Sequence, residues 1–386
     1  MKILHVINQL SGNAGAEVSL QELLLALDGD RDFDHVVATL RASSNNVAAL
    51  DPTRVQVLAP PGDLGLLSGL RFVDSCVRRT RPDLLHATLT EANILGRLVA
   101  WPRKLPVLVS VVNTPYVGEA LMNRQISLGK HRFVRSVDAL LSRNGTAHFH
   151  AITDVVAQHA VDAYGVPRDR ITVVPRGRDR ARLGLPSRNR RRSVRAELGA
   201  EDEPILLNVG RQEPQKGQIY AIRAMSKVWA SHPNARLLIA GREGNSSESL
   251  RAEVGRVGAG DRIRFLGNRS DIGDLLAAAD IFVFPSLYEG LGGSVLEAMA
   301  MDVPIVATDA PALVEVLAGG QCARLVPTAA PDALADAVVE MLSDRTMAEH
   351  LAGQARARFE STYTLQCSVD GMRALYRRLG EESGVL

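Results

Sequence analysis

The chain has 386 residues, of which 46% are hydrophobic and 23% charged, with a formal net charge of +2. That length admits two or three domains with full cores, and so neutral a balance gives no electrostatic argument for a nucleic-acid partner. Aromatic content of 4% speaks against a stacking platform for single strands, no apolar run reaches the length of a membrane span, and Cys76, Cys322 and Cys367 stand far apart without a CxxC pair, which fits free thiols in a reducing compartment.

The first predicted strand, Lys2 to Ile7, starts almost at the first residue with no leader-like segment before it, so the expected location is cytoplasmic. A loop with Gly12 and Gly15 follows, then leucines at helical spacing over Glu17 to Leu27. His35 to Leu40, Val55 to Leu58, Pro82 to His86, Val107 to Val112, Phe149 to Thr153 and Ile171 to Val174 read as further strands, with helices over Leu70 to Arg79, Glu91 to Trp101, Val134 to Leu141 and Val155 to Tyr164 between them. Strands alternating with helices predict a parallel sheet and an α/β class.

The rhythm breaks over Arg176 to Arg195, which is rich in arginine and contains Pro186, Ser187 and the run Arg190-Arg191-Arg192. This stretch reads as a linker between domains. A second alternation then begins. Its strands are Ile205 to Val209, Ala235 to Ala240, Ile263 to Phe265, Ile281 to Phe284 and Pro304 to Thr308. Its helices are Gly217 to Trp229, one near Leu250, Ile272 to Ala278 and Ser294 to Ala300. Leu334 to Leu342, Met347 to Phe359 and Val369 to Leu379 close the chain as helices.

The most informative stretch is Phe282 to Thr308, a strand, a Gly-rich turn, a helix and a strand. A helix start offers unpaired N–H groups and a positive dipole end to an anion. Such a turn sits at the carboxyl end of a parallel strand, where ligands bind. Phosphate oxygens could take the amides of Ser294 and Val295, while Glu289 and Glu297 are acceptors suited to sugar hydroxyls. Together they suggest a ligand carrying both phosphate and hydroxyls.

The pair Glu289 and Glu297, separated by seven residues in the setting EGLGGSVLEAMAMDVPIVAT, resembles the donor-sugar motif of retaining glycosyltransferases of family 4. That resemblance implies the GT-B fold: two Rossmann-like, doubly wound domains facing a central cleft. The domains are then expected at 1–180 for acceptor binding and 204–365 for the nucleotide-sugar. A linker at 181–203 joins them, and a last helix at 366–386 crosses back to the first. A second landmark, Arg211 and Lys216 after Gly210, is similar to the family's cationic pair. It would bind the diphosphate and stabilise it as it leaves. Ala14-Gly15-Ala16-Glu17 resembles the family's first Gly-rich turn, with Gly15 presenting its amide to the diphosphate. By the same likeness Gly241 lines the nucleotide pocket and the backbone of Leu266 reads the base. Glu297 would take the ribose, and Glu289 with the amides of Leu291, Gly292 and Gly293 the donor sugar.

The first half departs from the pattern. Asn113 stands where many relatives place a histidine, and Asn cannot titrate. His86 is the other weak candidate for assisting catalysis, against the plainer reading of a packed histidine. Val174-Pro175-Arg176-Gly177-Arg178-Asp179 replaces the usual Asn-Gly-Val-Asp. His148, His150 and His159 are read as polar packing, and Asp28, Asp30, Asp32 and Asp34 as a solvated turn. Lys130-His131-Arg132 with Arg124, Arg135 and Arg143, interleaved with Ile126, Leu128, Phe133 and Val134, suggests a solvated helix face or a peripheral contact with the inner face of an anionic membrane. The expected function is transfer of a sugar from a nucleoside-diphosphate sugar, UDP favoured over GDP, to a hydroxyl on a glycan, lipid-linked saccharide or small natural product. No metal or other cofactor is expected, and no nucleic acid. An epimerase of the same fold and a non-catalytic nucleotide-sugar binder are the alternatives, and the oligomeric state is open.

Overall fold

The computed structural model of the protein describes residues 1–10, 15–42, 55–113, 135–142 and 147–386. Two compact units emerge. One draws on the chain up to Gly177 together with Leu365–Leu386; the other is centred on Arg178–Thr364. Each is a parallel α/β sheet with helices between its strands, as the alternation predicts.

In the first unit, β1 (Lys2–Ile7), β2 (Asp34–Thr39), β3 (Gln56–Leu58), β4 (Leu84–Thr88), β5 (Val107–Val111), β6 (Ala147–Ala151) and β7 (Ile171–Val173) lie in the order β3-β2-β1-β4-β5-β6-β7. The inner strands are apolar almost throughout because helices cover both faces. One face carries a row of polar exceptions: His5, His35, His86, Ser110 and His150, all buried. Against it packs the helix Leu365–Glu382, whose Tyr376, Val369 and Met372 join Ile3, Leu84 and Leu108 in one core.

The row is wired in a single direction. Val174 O can only accept, so His150 Nε2 donates to it at 2.8 Å. His150 Nδ1 must then accept from Ser110 Oγ (2.8 Å), Ser110 accepts from His86 Nε2 (2.7 Å), and His86 Nδ1 accepts from the Tyr376 hydroxyl (2.8 Å). With one ring nitrogen donating and the other accepting, His86 and His150 are both neutral. Burial in turn pushes His35 and His150 down to about 4, and holds His5 and His86 well below their ordinary value.

The acidic turn is not merely solvated. Arg373 donates to Asp30 (2.8 Å), Arg377 to Asp32 (2.6 Å), and the Met1 amine to the Asp32 carbonyl (2.7 Å). The turn is where the last helix is tied down. Arg97, buried in the helix Thr90–Ala100, pairs with Asp138 and donates to Ser142 Oγ at 2.7 Å. Of the basic segment proposed for a membrane, Arg124 to Val134 and Arg143 lie outside the described residues. Among those described, no helix is long and apolar enough to cross a membrane.

The second unit places β8 (Ile205–Val209), β9 (Arg236–Ala240), β10 (Ile263–Gly267), β11 (Ile281–Phe284), β12 (Ile305–Thr308) and β13 (Arg324–Val326) in the order β10-β9-β8-β11-β12-β13. β13 has only three residues at the sheet edge, too short for an apolar period, and escaped the sequence reading. The order reverses between β8 and β11, so their carboxyl ends form the crevice where such sheets bind ligands.

The expected linker at 181–203 is folded instead. Arg180–Leu183 and Arg188–Leu198 are helices, the second capped by Ser187 Oγ on the Arg190 amide (3.2 Å) and closed by left-handed Gly199. Its arginines are spent on the second unit. Arg190 pairs with Asp274 (2.6 Å), Arg191 and Arg195 with Asp280 (2.5 and 3.1 Å). Arg191 also takes the carbonyls of Ala277, Ala278 and Ala279, capping the helix Ile272–Ala278.

The neutral histidine row makes stability depend on pH with a definite sign. The unfolded histidines titrate near 6.5 and the folded ones lower, so below about pH 6.5 the unfolded chain binds more protons. The stabilisation is whole above that value and is lost as pH falls toward about 4. Melting scans should show a falling midpoint between pH 7 and pH 5. His150→Gln should flatten that slope, and a slope identical to the parent's would refute the assignment.

Candidate functional site

The site of the second unit is built from the loops that leave β8 and β11 at the reversal. After β8 the chain runs through Gly210 and exposed Arg211 into the short 3-10 turn Pro214–Lys216 and the helix Gln218–Ser231. After β11 it runs through Pro285 to Gly292 into the helix Gly293–Ala300. Two bonds clamp the loops together: Leu287 N–H donates to Gln215 O, and Gln215 Nε2 donates to Tyr288 O, both at 2.8 Å. A third, Lys216 Nζ to Glu289 Oε1 at 2.6 Å, joins two of the predicted site residues directly. Lys216 is 17% exposed and Glu289 8%. The ammonium also lies 5.4 Å from the centre of the Phe284 ring, a cation–π contact.

Beneath the clamp lies a polar layer that the sequence reading missed. Asn208, a polar break in an apolar strand, donates from Nδ2 to Val283 O (2.9 Å) and accepts from Gln218 Nε2 (3.1 Å), which also reaches Gly210 O (3.0 Å). These bonds tie the ends of β8 and β11 to the first turn of the helix. Their signal was an asparagine and a glutamine flanking the landmark.

Glu297 lies one turn into the helix Gly293–Ala300 and accepts from Arg178 Nε at 3.2 Å. Burial pushes its carboxyl up, and the Arg178 guanidinium pulls it back. Arg178 was read only as a departure from the family pattern; the structure sets it at the mouth of this helix. A side chain at Gly293 would collide with its guanidinium. Gly292 turns the chain with φ +86°, a left-handed conformation that favours glycine. Of the amides expected to meet phosphate, that of Val295 is already bonded to Gly292 O (2.9 Å). Gly293 and Ser294, the first two helical residues, have no intrahelical acceptor, while the Ser294 hydroxyl is tied to Val209 O (3.0 Å). Leu291 is buried.

Gly241 closes β9 beside the same crevice, its amide donating to Gly267 O at 2.7 Å. Leu266 sits in a bulge: Phe265 pairs with Ile239 and Gly267 with Ala240, so Leu266 drops out of the ladder. That frees backbone groups at a strand end. Among the described residues no hydrogen bond or ion pair of the Arg211 guanidinium is present.

The residues predicted in the first unit fare differently. His86 is 3% exposed and both ring nitrogens are engaged, so its place is in the core and not as an open base. Asn113 follows β5 and is half-buried. Gly15 opens the helix Gly15–Ala26, but Ser11 to Ala14, with Gly12, lie outside the described residues.

The family model "Glycosyltransferase Family 4" matches residues 13–182, and "Glycosyl transferases group 1" matches 189–358. An alpha-D-kanosaminyltransferase of Streptomyces kanamyceticus is 29% identical over 62% of this chain and 68% of its own length. A D-inositol 3-phosphate glycosyltransferase of Acidothermus cellulolyticus is 30% identical over 76% of this chain and 67% of its own. Among solved structures, Anabaena Alr3699/HepE in complex with UDP and glucose superposes with a TM-score of 0.82 at 21% identity, covering 98% of this chain and 100% of that one.

Lys216→Ala would leave Glu289 in place without its cation and, on the expected role of Lys216, remove a phosphate ligand. Calorimetry should show weakened binding of UDP or GDP. Urea unfolding should show a loss of roughly 3 kcal/mol from the stranded carboxylate. Unchanged affinity would remove Lys216 from the phosphate site. On the matched models, the relatives and the two parallel sheets, the chain belongs to the family 4 glycosyltransferases, transferases of the GT-B fold.

Proposed function

We propose that the protein is a retaining glycosyltransferase that moves a sugar from a nucleoside-diphosphate sugar, UDP-linked by preference, to an acceptor hydroxyl. The observation that carries this reading is the Lys216–Glu289 pair, clamped by Gln215 at the reversal of the second sheet. A cation and a carboxylate fixed side by side suit a ligand whose phosphate is joined to the sugar that bears the hydroxyls. Lys216 and Arg211 would hold the diphosphate. Glu289 would accept from the hydroxyls of the sugar, and the Leu266 backbone would meet the base.

In the transfer step the bond from the anomeric carbon to the phosphate oxygen breaks, and a bond to the acceptor oxygen forms on the same face. The acceptor's proton passes to the departing diphosphate. Arg211, Lys216 and the amides at the helix start stabilise the charge that develops there. This scheme needs no side-chain base, which suits Asn113 and the occupied ring of His86, and it assigns the charge stabilisation to these groups without a metal. The relative named for D-inositol 3-phosphate favours a polyhydroxylated small-molecule acceptor, and the neighbour named for UDP and glucose favours a UDP-sugar.

The test is a panel of UDP- and GDP-sugars with and without polyol and glycan acceptors, scored for product. Conversion of donor without acceptor would point to the epimerase instead. Glu289→Gln should cut turnover by about a hundredfold or more while nucleotide affinity stays within a few-fold; normal turnover would reject the sugar-binding role. Treatment with EDTA should leave the rate unchanged. A loss restored by manganese would overturn the metal-free scheme.

A further inference from the structure

The sequence landmarks leave a charge problem. Arg211 and Lys216 bring two cations to the crevice, and Glu289 and Glu297 bring two carboxylates. These four cancel, and Lys216 is already committed to Glu289 at 2.6 Å. Glu213, which lies between the two cations in sequence, is turned aside onto Asn245 Nδ2 (3.0 Å). A diphosphate carrying about two negative charges gains little from a neutral set of side chains in a partly buried site.

Arg178 alters that sum. Its side chain is only 11% exposed, and its backbone is fixed: Arg178 N–H donates to Tyr363 O at 2.9 Å, and the residue bridges to Thr364. Its Nε faces the Glu297 carboxylate, while the outer part of the guanidinium lies over the Cα of Gly293. A cation at a helix N-terminus opposes the dipole there, and Glu297 is what holds it. The arrangement concentrates positive charge, from the guanidinium and from the helix-start amides, on one spot.

That spot has a defined chemistry around it. Glu297 is the carboxylate that fits ribose hydroxyls, and the Gly293 and Ser294 amides are the donors that fit phosphate. Arg178 lies between the two. We propose that Arg178 is a donor-binding residue, contacting the phosphate next to the ribose. This rests on the nucleotide-sugar reading above and adds to it a residue outside the landmark pairs. It also gives Gly293 a second role: the absence of a side chain admits the guanidinium as well as the ligand.

The experiment measures UDP by calorimetry and uridine by ligand-observed NMR, with GDP and guanosine in parallel, on the full chain. Arg178→Ala should weaken nucleoside-diphosphate binding roughly ten- to hundredfold, the loss expected for a hydrogen bond to a charged group, and leave the nucleoside within about twofold. Arg178→Lys should recover part of the loss, since it keeps the charge without the planar fork. Equal losses for diphosphate and nucleoside would make Arg178 a scaffold residue and overturn the proposal. So would unchanged diphosphate binding in Arg178→Ala while Lys216→Ala loses it, which leaves the nucleotide-sugar reading standing. If Arg178→Ala fails to fold, Arg178→Lys decides alone: affinity for UDP equal to the parent's overturns the role. A parent that binds neither UDP nor GDP removes the nucleotide-sugar reading and this inference with it.

Discussion

The chemistry of the second unit's crevice centres on one short contact, Lys216 Nζ to Glu289 Oε1. Removing two charges from water is costly, and their attraction offsets the cost only when the geometry is good and the remaining donors and acceptors are used. Here the geometry is set from below. Gln215 fixes the two loops to each other through its backbone carbonyl and its side-chain amide, and Asn208 with Gln218 ties β8 to β11 and to the first turn of the helix Gln218–Ser231. The ion pair does not assemble the site; it occupies a site that neutral hydrogen bonds have already shaped. A ligand carrying phosphate and hydroxyls can replace each half of the pair's interaction with its own, so the site is preorganised at small cost.

The first unit uses polar groups in the opposite way. His86 and His150 lie in a closed core with both ring nitrogens engaged, by Ser110, by Tyr376 and by a carbonyl, and His5 is bonded to His35. The direction imposed by Val174 O leaves no ring nitrogen of His86 for a substrate. A hydrogen-bond chain of fixed polarity is also a docking code: the Tyr376 hydroxyl must donate, so the helix Leu365–Glu382 fits in one register. The Asp30–Arg373 and Asp32–Arg377 pairs set the same register from the surface.

Much of this was legible in the sequence, and the limits have physical causes. Buried parallel strands are continuous apolar runs, so β1, β8 and β11 declared themselves. The glycines and glutamates of the β11 turn are a local pattern, and so were found. Long-range pairing is not local. The arginines of 188–198 look like a solvated linker until Asp280, some eighty positions later, is brought beside Arg191 and Arg195. The same holds for the acids of the turn before β2 and for Arg178, whose partner Glu297 is remote in sequence. His86 misled for the converse reason: a histidine at a strand end looks the same whether the strand meets a crevice or a helix.

The helix Gly293–Ala300 shows how such remote arginines serve the site. Its carboxyl end is held by Arg180 and Arg356, both donating to Ala300 O, at 3.1 and 3.3 Å. Cations there complement the dipole and stabilise an eight-residue helix that propensity alone would not. Arg178 at the other end opposes the dipole, and no gain in helix stability explains it. Its ionic partner at the helix mouth is Glu297, whose carboxyl burial already disfavours as an anion. A cation that weakens the helix end it covers, and that is held by a carboxylate reluctant to ionise, is poorly accounted for by folding alone. An anion arriving at Gly293 would relieve both tensions at once, by screening the guanidinium from the dipole and by leaving Glu297 to neutral hydroxyl donors.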